Sequence, residues 1–97
     1  MTPVSVQSLQ RKLQLHGKPC RLDYHLLENS IADATVRRSF DIEIVLTDEI
    51  SGSCERCKLP GLTTDESLAV RWLYLLADGM VTPAAAYEIM DDLLAQL

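Results

Sequence analysis

The residues of this chain best suited to chemistry are two cysteines, Cys54 and Cys57, in a C-x-x-C motif. This spacing is typical of metal knuckles and of redox-active cysteine pairs. A closed zinc site needs four ligands, so Cys20 and either His16 or His25 would have to converge on the pair. In a regular strand, however, residues three apart point to opposite faces. Ordinary reduced cysteines are the favoured interpretation, and a small metal-binding or thiol-redox protein is the alternative.

The other titratable residues do not form a recognisable catalytic set. His16 falls in a basic N-terminal segment and His25 on the presumed outer face of a strand, so both are predicted to be solvated. The sequence has no nucleophile elbow, no Gly-rich loop before a helix and no H-E-x-x-H motif. We therefore predict that the chain is not an enzyme and uses no cofactor or metal.

Three carboxylates, Glu88, Asp91 and Asp92, stand close together near the end of the chain. On a helix they would lie within one and a half turns, where like charges and the helix dipole both disfavour them. They form either a solvated acidic surface or a docking surface for a basic partner. That partner could be another protein or the basic N-terminal segment of the chain itself.

The distribution of charge limits the partners that the chain can bind. The 97 residues carry a net charge of −5, although residues 1–25 contain four basic side chains against one acidic side chain. The rest of the chain would therefore repel phosphate, whereas nucleic-acid-binding proteins present a basic surface. No apolar run is long enough to cross a bilayer, and the N-terminus lacks the apolar core of a secretion signal. We expect a soluble, cytoplasmic protein with reduced cysteines that binds neither nucleic acid nor membrane.

Alternating apolar and polar residues predict a small antiparallel sheet of two or three strands. Residues 1–19 are polar and basic, and they are predicted to be an arm or a short frayed helix. Residues 20–97 are predicted to form one domain, in which alternation begins at once and is clearest over 40–46. Residues 54–59 are compatible with a third strand, which Pro60 would end.

The C-terminal third is predicted to be a helical hairpin. Thr63 and Glu66 have the spacing of a capping box, and Gly79 is expected to provide a left-handed stop for the helix that follows. Thr82 and Pro83 suit the N-cap and the first residue of a second helix. The short connection predicts an antiparallel αα hairpin on one face of the sheet, so the fold class is α+β.

The first predicted helix has more apolar surface than its neighbours can cover. It is apolar on nearly every side except at Arg71, so Val70 or Tyr74 is expected to face outwards. An exposed apolar patch marks an association surface, and two-fold symmetry is the commonest arrangement of homo-oligomers. We predict a non-enzymatic interaction or regulatory module that forms a homodimer and acts through an unidentified protein partner.

Four short motifs link the chain to a known family. They are Tyr24 with Leu26-Leu27-Glu28, Phe40-Asp41-Ile42-Glu43-Ile44, Val81-Thr82-Pro83, and Tyr87-Glu88-Ile89-Met90-Asp91-Asp92. With these motifs, residues 24–94 resemble a family of small bacterial proteins, mostly from Firmicutes, that is known only as a domain of unknown function. The resemblance implies a strand-then-helix order and supplies no catalytic or ligand residue. Asp41 stands where the family typically has glycine.

Overall fold

The computed structural model of this chain describes residues 4–31 and 37–96. Along the chain, the elements are β1 (Val4–Leu15), β2 (Lys18–Ile31), β3 (Arg37–Asp48), β4 (Cys54–Thr63), α1 (Glu66–Asp78) and α2 (Pro83–Ala95). The strands form one antiparallel sheet in the order β1-β2-β3-β4. The predicted α+β architecture is confirmed. Neither helix in this part of the chain is long and apolar enough to cross a membrane.

The sheet has four strands, so the prediction of two or three strands is wrong. The unpredicted strand is β1, which lies in the segment 1–19 where the sequence indicated an arm or a short helix. β1 pairs with β2 along its length, and His16 and Gly17 form the two-residue turn between them. Both turn residues have positive φ, 52° and 76°, as tight hairpin turns require. The prediction failed because the spacing of Leu9 and Leu13 also suits a helix.

The core lies between one face of the sheet and the two helices. Alternate residues of β2 and β3 point to the helices, while the residues between them form an outer face that is mostly polar. The buried residues of this core are Leu22, Tyr24, Leu26, Phe40, Ile42, Ile44, Cys57, Leu59, Ala69, Trp72, Leu73, Leu76, Ala77, Val81, Ala86 and Met90. α1 packs mainly on β2 and β1, and α2 packs on β4 and β3. α1 also contacts β3 and β4, so it crosses the whole sheet, whereas α2 lies over β3 and β4.

α1 begins at Glu66 and is capped by Asp65, so the predicted capping box of Thr63 and Glu66 is wrong. The Asp65 carboxylate accepts a hydrogen bond from the amide three residues further on, at 3.3 Å. Thr63 is the last residue of β4, and its hydroxyl oxygen accepts from the Asp65 amide instead. Because β4 continues to Thr63, the N-cap of α1 is Asp65, two residues later in the chain than predicted. α2 starts as predicted, with Thr82 at the N-cap and Pro83 as its first residue.

The connection between the helices differs from the prediction by one residue. Gly79 stays in the right-handed helical region, and the left-handed residue is Met80, with φ of 49°. The Met80 amide donates to the Ala77 carbonyl and the Val81 amide to the Leu76 carbonyl, which is the pattern of a Schellman motif. Glycine suits position 79 because a Cβ there would lie 3.3 Å from a backbone carbonyl oxygen of α1, which is closer than most Cβ contacts in proteins.

Pro60 and Gly61 do not end β4, because a bulge accommodates them. At the bulge, the single β3 residue Asp41 faces three residues of β4. The Asp41 side chain is buried, and its carboxylate accepts 2.7 Å hydrogen bonds from the Gly61 amide and from the Asn29 side chain. Lys58 Nζ lies 3.7 Å from the same carboxylate. Asp41 therefore fastens the bulged segment to the sheet.

The helices are much shorter than the strands below them. Each helix has 13 residues and is about 20 Å long. β1, β2 and β3 have 12 to 14 residues, which corresponds to roughly 40 to 45 Å. The helices therefore leave part of the inner face of the sheet uncovered, notably at the end that carries the β1–β2 and β3–β4 turns.

Candidate functional site

The helical layer carries most of the apolar side chains that the fold leaves exposed. Nine large hydrophobic residues are exposed in the described part of the chain, and six of them belong to α1, α2 or the connection between them. These six are Tyr74, Leu75, Met80, Tyr87, Ile89 and Leu94. Of the two residues expected to face outwards, Tyr74 is 42% exposed, whereas Val70 is partly buried against the core. We call the six exposed residues the helical patch.

Tyr74 lies on the side of α1 that faces β1. Its hydroxyl oxygen accepts a hydrogen bond from Gln7 Nε2 at 2.9 Å. One turn later, Asp78 pairs with Arg11 at 3.2 Å. These two exposed contacts join α1 to the edge strand, while the burial of Trp72, Leu73 and Leu76 sets which side of the helix faces outwards.

The three acidic residues Glu88, Asp91 and Asp92 are all exposed on α2. None of the ion pairs formed among the described residues includes them. α2 contains no basic residue, so nothing within the helix offsets their mutual repulsion or the helix dipole. The described part of the basic N-terminal segment does not cover them either, because Arg11 binds α1 and Lys12 alternates to the outer face of the sheet.

The side chains of Cys54 and Cys57 point to opposite faces of β4. The register with β3 is regular from Cys54 to Leu59, so residues three apart diverge. Cys57 is buried in the core, whereas Cys54 is exposed and its sulfur lies 3.5 Å from the Thr47 hydroxyl. Together with the buried Cys20, both are free thiols. Within residues 4–31 and 37–96, no group of three or more histidine, cysteine or acidic residues is placed to hold a metal ion.

Tyr87 lies beside Cys57 at the edge of the sheet formed by β4. Its hydroxyl donates a hydrogen bond to the Lys58 carbonyl at 3.2 Å. The Cys57 sulfur, through hydrogen bonding and through its charge when ionised, raises the pKa of Tyr87 above its ordinary value. The Tyr87 hydroxyl therefore already uses the Lys58 carbonyl, which is one of the backbone hydrogen-bond acceptors of this edge strand.

An open cavity of about 370 Å³ lies beyond the helices, at the end of the sheet with the hairpin turns. Its lining includes His16, Cys20 and Cys54, three of the residues that a metal site would have required. β3 separates the two cysteine-bearing strands, so the cysteine Cα atoms are about 10 Å apart. A disulfide spans at most about 7 Å between Cα atoms, so the two thiols cannot be linked without rearrangement.

Asp48, which also lines this cavity, serves the turn between β3 and β4. Its Oδ1 accepts hydrogen bonds from the amides of Ile50 and Ser51, at 2.9 and 3.2 Å. These two bonds lower the pKa of the Asp48 carboxyl below its ordinary value. The cavity has the volume of a small-molecule site. The hydrogen bonds of Asp48, however, stabilise the turn and do not indicate a ligand.

His25 is half-buried on the outer face of the sheet. Ser8 Oγ lies 2.8 Å from His25 Nδ1, and Glu43 is the cross-strand neighbour of His25 on β3. Serine, histidine and glutamate are the residue types of a hydrolase triad. Glu43, however, contacts Arg56 at 4.0 Å. In addition, Ser8, His25 and Glu43 lie on an open face of the sheet rather than in a cleft. The arrangement is a cross-strand polar ladder.

Comparison with known proteins gives one family. Neither a search of curated proteins nor a search of solved structures finds a match to this chain. A family model described as a family of unknown function, DUF6514, matches residues 4–96, which include all six elements of the fold. The predicted resemblance to an uncharacterised family is confirmed, and the chain belongs to the DUF6514 family.

Proposed function

We propose that this chain is a non-enzymatic protein-association module, which forms a homodimer and binds a further protein through its helical layer. The observation that carries the proposal is the helical patch, in which Leu75 is 48% exposed. Six of the nine exposed large apolar side chains of the described residues lie in this one layer, and concentrated apolar exposure of this kind usually marks an interaction site. Covering them with a partner removes apolar area worth about 25 cal/mol per Å².

The outer face of the sheet is the poorer candidate for a binding surface. Its charged side chains largely satisfy one another, as Arg21 does with Asp23 at 3.0 Å and Lys58 with Asp41 at 3.7 Å. All five aromatic residues of the chain lie in the core or on the helices. The outer face therefore has no aromatic platform on which nucleobases would stack. This supports a protein partner over a nucleic acid.

The acidic residues of α2 indicate the chemistry of the partner. Glu88, Asp91 and Asp92 flank the exposed Tyr87 and Ile89 in sequence and share their helix. A partner with an apolar contact surface and basic residues around it would cover the patch and offset these charges. The electrostatic part of this contact should weaken with salt, and the apolar part should not.

The alternative function, a metal-binding or thiol-redox protein, has less support, because Cys54 and Cys57 point to opposite faces of β4. The proposal includes a cytoplasmic location. All three cysteines are free thiols, which suits a reducing compartment.

Capture of partners from a lysate of the native host, quantified by mass spectrometry, tests the proposal. The variant is Leu75→Glu in the helical patch, and the matched control is Ile50→Glu. Ile50 is an equally apolar residue, 76% exposed, in the turn between β3 and β4. We expect the control to retain the partners of the wild type and Leu75→Glu to lose them.

Capture of the same partners by the wild type, Leu75→Glu and Ile50→Glu would contradict a role for the helical patch. Light scattering on the purified chain tests the homodimer separately. A strictly monomeric mass at tens of micromolar would remove the homodimer from the proposal.

A further inference from the structure

The two edges of the sheet differ in how open they are to another strand, and this difference points to a way of building the homodimer. We infer that β1 is the pairing edge. Two copies align their β1 strands antiparallel and form one continuous eight-stranded sheet, with all four helices on the same face. The inference rests on the proposed function, because it specifies how the proposed self-association is made.

The β4 edge is closed to a further strand over its second half. Pro60 has no amide hydrogen to donate. The bulge around Gly61, whose φ is 59°, interrupts the regular spacing of backbone groups. The Tyr87 hydroxyl already donates to the Lys58 carbonyl. Proline and bulges are among the means by which natural sheets prevent edge pairing.

The β1 edge is open by comparison. β1 has 12 residues, about twice the length of an average strand, and within the described residues only β2 pairs with it. A bulge at Val6 interrupts its first part, but the register with β2 is regular from Gln7 to Leu15. The Gln10 carbonyl accepts a hydrogen bond from the Arg11 side chain at 2.9 Å, and a paired strand would replace this flexible donor.

A second copy would complete the burial of the inner face of β1. Leu9 and Leu13 pack against the core but remain only half-buried, because β1 is the last strand of the sheet. In the eight-stranded sheet, the partner's β1 would cover their open side. α1 follows β1 through the contacts of Tyr74 and Asp78, so the two α1 helices would become neighbours across the two-fold axis.

Symmetric pairing is compatible with the charges of β1, which are all basic. With Gln10 on the two-fold axis, Arg11 faces the partner's Leu9 and Lys12 faces the partner's Ser8. In this register no two like charges lie directly opposite each other, and inner-face residues face inner-face residues. Because the β4 edges at the two outer ends are obstructed over their second halves, further copies cannot pair there along the full strand, and the two-copy assembly is favoured.

Hydrogen–deuterium exchange of the full chain tests the inference, at concentrations where light scattering shows monomer and dimer. The amides of β1 that point away from β2 should exchange at least about tenfold more slowly in the dimer. The amides of β4 should exchange at the same rate in both samples, and they serve as the internal control.

A charge added at the two-fold axis provides the second test. Gln10→Lys places two like charges opposite each other, so it should weaken dimerisation by at least about tenfold. The fold should tolerate it, because Gln10 contacts the carboxylate of Asp23 at 3.1 Å and lysine would face the same acid. Gln96→Lys makes the same change beyond α2 and should leave dimerisation unchanged.

The remaining outcomes show whether the inference fails alone or together with the proposed homodimer. A dimer protected on α1 and α2 but not on β1 would overturn the inference and keep the homodimer. A chain that stays monomeric would overturn both. Equal weakening by Gln10→Lys and Gln96→Lys would show a general effect of charge and overturn the inference. Protection of β1 that appears only on adding host lysate would assign the edge to another protein and overturn pairing with a second copy.

Discussion

Replacing Tyr24 by phenylalanine should test how the sheet is joined to the connection between the helices. The Tyr24 side chain is fully buried, and its hydroxyl donates a 2.9 Å hydrogen bond to the Val81 carbonyl. Tyr24→Phe keeps the ring in the core but leaves this buried carbonyl without its donor, which costs about 1–3 kcal/mol. In a domain of this size, the melting temperature should fall by roughly 5–20 °C.

The same hydroxyl should make stability depend on pH in the alkaline range. Burial raises the pKa of Tyr24 to about 12, from an ordinary value of 10.0. Above pH 10 the unfolded chain loses the proton while the folded chain keeps it. The stabilisation is therefore complete below pH 10 and is lost as the pH rises towards 12. Two pKa units correspond to about 3 kcal/mol at most.

Urea unfolding followed by Trp72 fluorescence measures both effects. The difference in unfolding free energy between wild type and Tyr24→Phe should be largest below pH 10 and should shrink as the pH approaches 12. Titration of the other groups largely cancels in this difference. Tyr87→Phe is the matched control, since Tyr87 is exposed and its loss should cost about 0.5 kcal/mol or less. Equal stabilities at neutral pH, or a difference that grows with pH, would refute the reasoning.

Three further substitutions test other parts of the fold. Asp41→Ala removes the acceptor of two part-buried hydrogen bonds, including that of the Gly61 amide, and should cost about 1.5–3 kcal/mol in urea unfolding. Wild-type stability in this variant would show that Asp41 does not hold the bulge. Met80→Gly should raise the unfolding free energy by about 0.5–1 kcal/mol, because glycine adopts the left-handed conformation without strain. A lower melting temperature would contradict this. Cys54→Ser should leave the melting temperature within a few degrees of wild type, whereas Cys57→Ser should lower it more, because only Cys57 is buried. The reverse order would show that the two cysteines have been assigned to the wrong faces.

The strands differ in how far their sequences reveal them. β2 and β3 could be predicted because each has one face in the core and one in solvent, which produces strict alternation. β1 could not, because α1 is the one described helix that packs on its inner face, and Gln7 and Arg11 therefore stand there among the leucines. β4 could be predicted only as far as Pro60. Its continuation depends on Asp41, a residue about twenty positions earlier in the chain.

The candidate site was predictable only in part, for a related reason. A helix that is apolar on nearly every side does not show which side the sheet will cover. The side of α1 that packs on the sheet carries Trp72, Leu73 and Leu76, and Tyr74 faces β1, the strand that the sequence did not predict. Val70 was therefore expected outside as readily as Tyr74. The divergence of Cys54 and Cys57, by contrast, follows from the two-residue period of any regular strand.

The order of the elements along the chain has a consequence for protein synthesis. All four strands precede both helices, so the sheet is translated before the elements that cover its inner face. At the usual rate of translation, the roughly 30 residues from Glu66 to Ala95 take about 2–6 s to be added. During that interval, the apolar face formed by Leu22, Tyr24 and Ile44 lacks the two helices that bury it in the folded chain. A nascent chain stalled before Glu66 would expose this face, and we expect such a fragment to aggregate or to be held by chaperones.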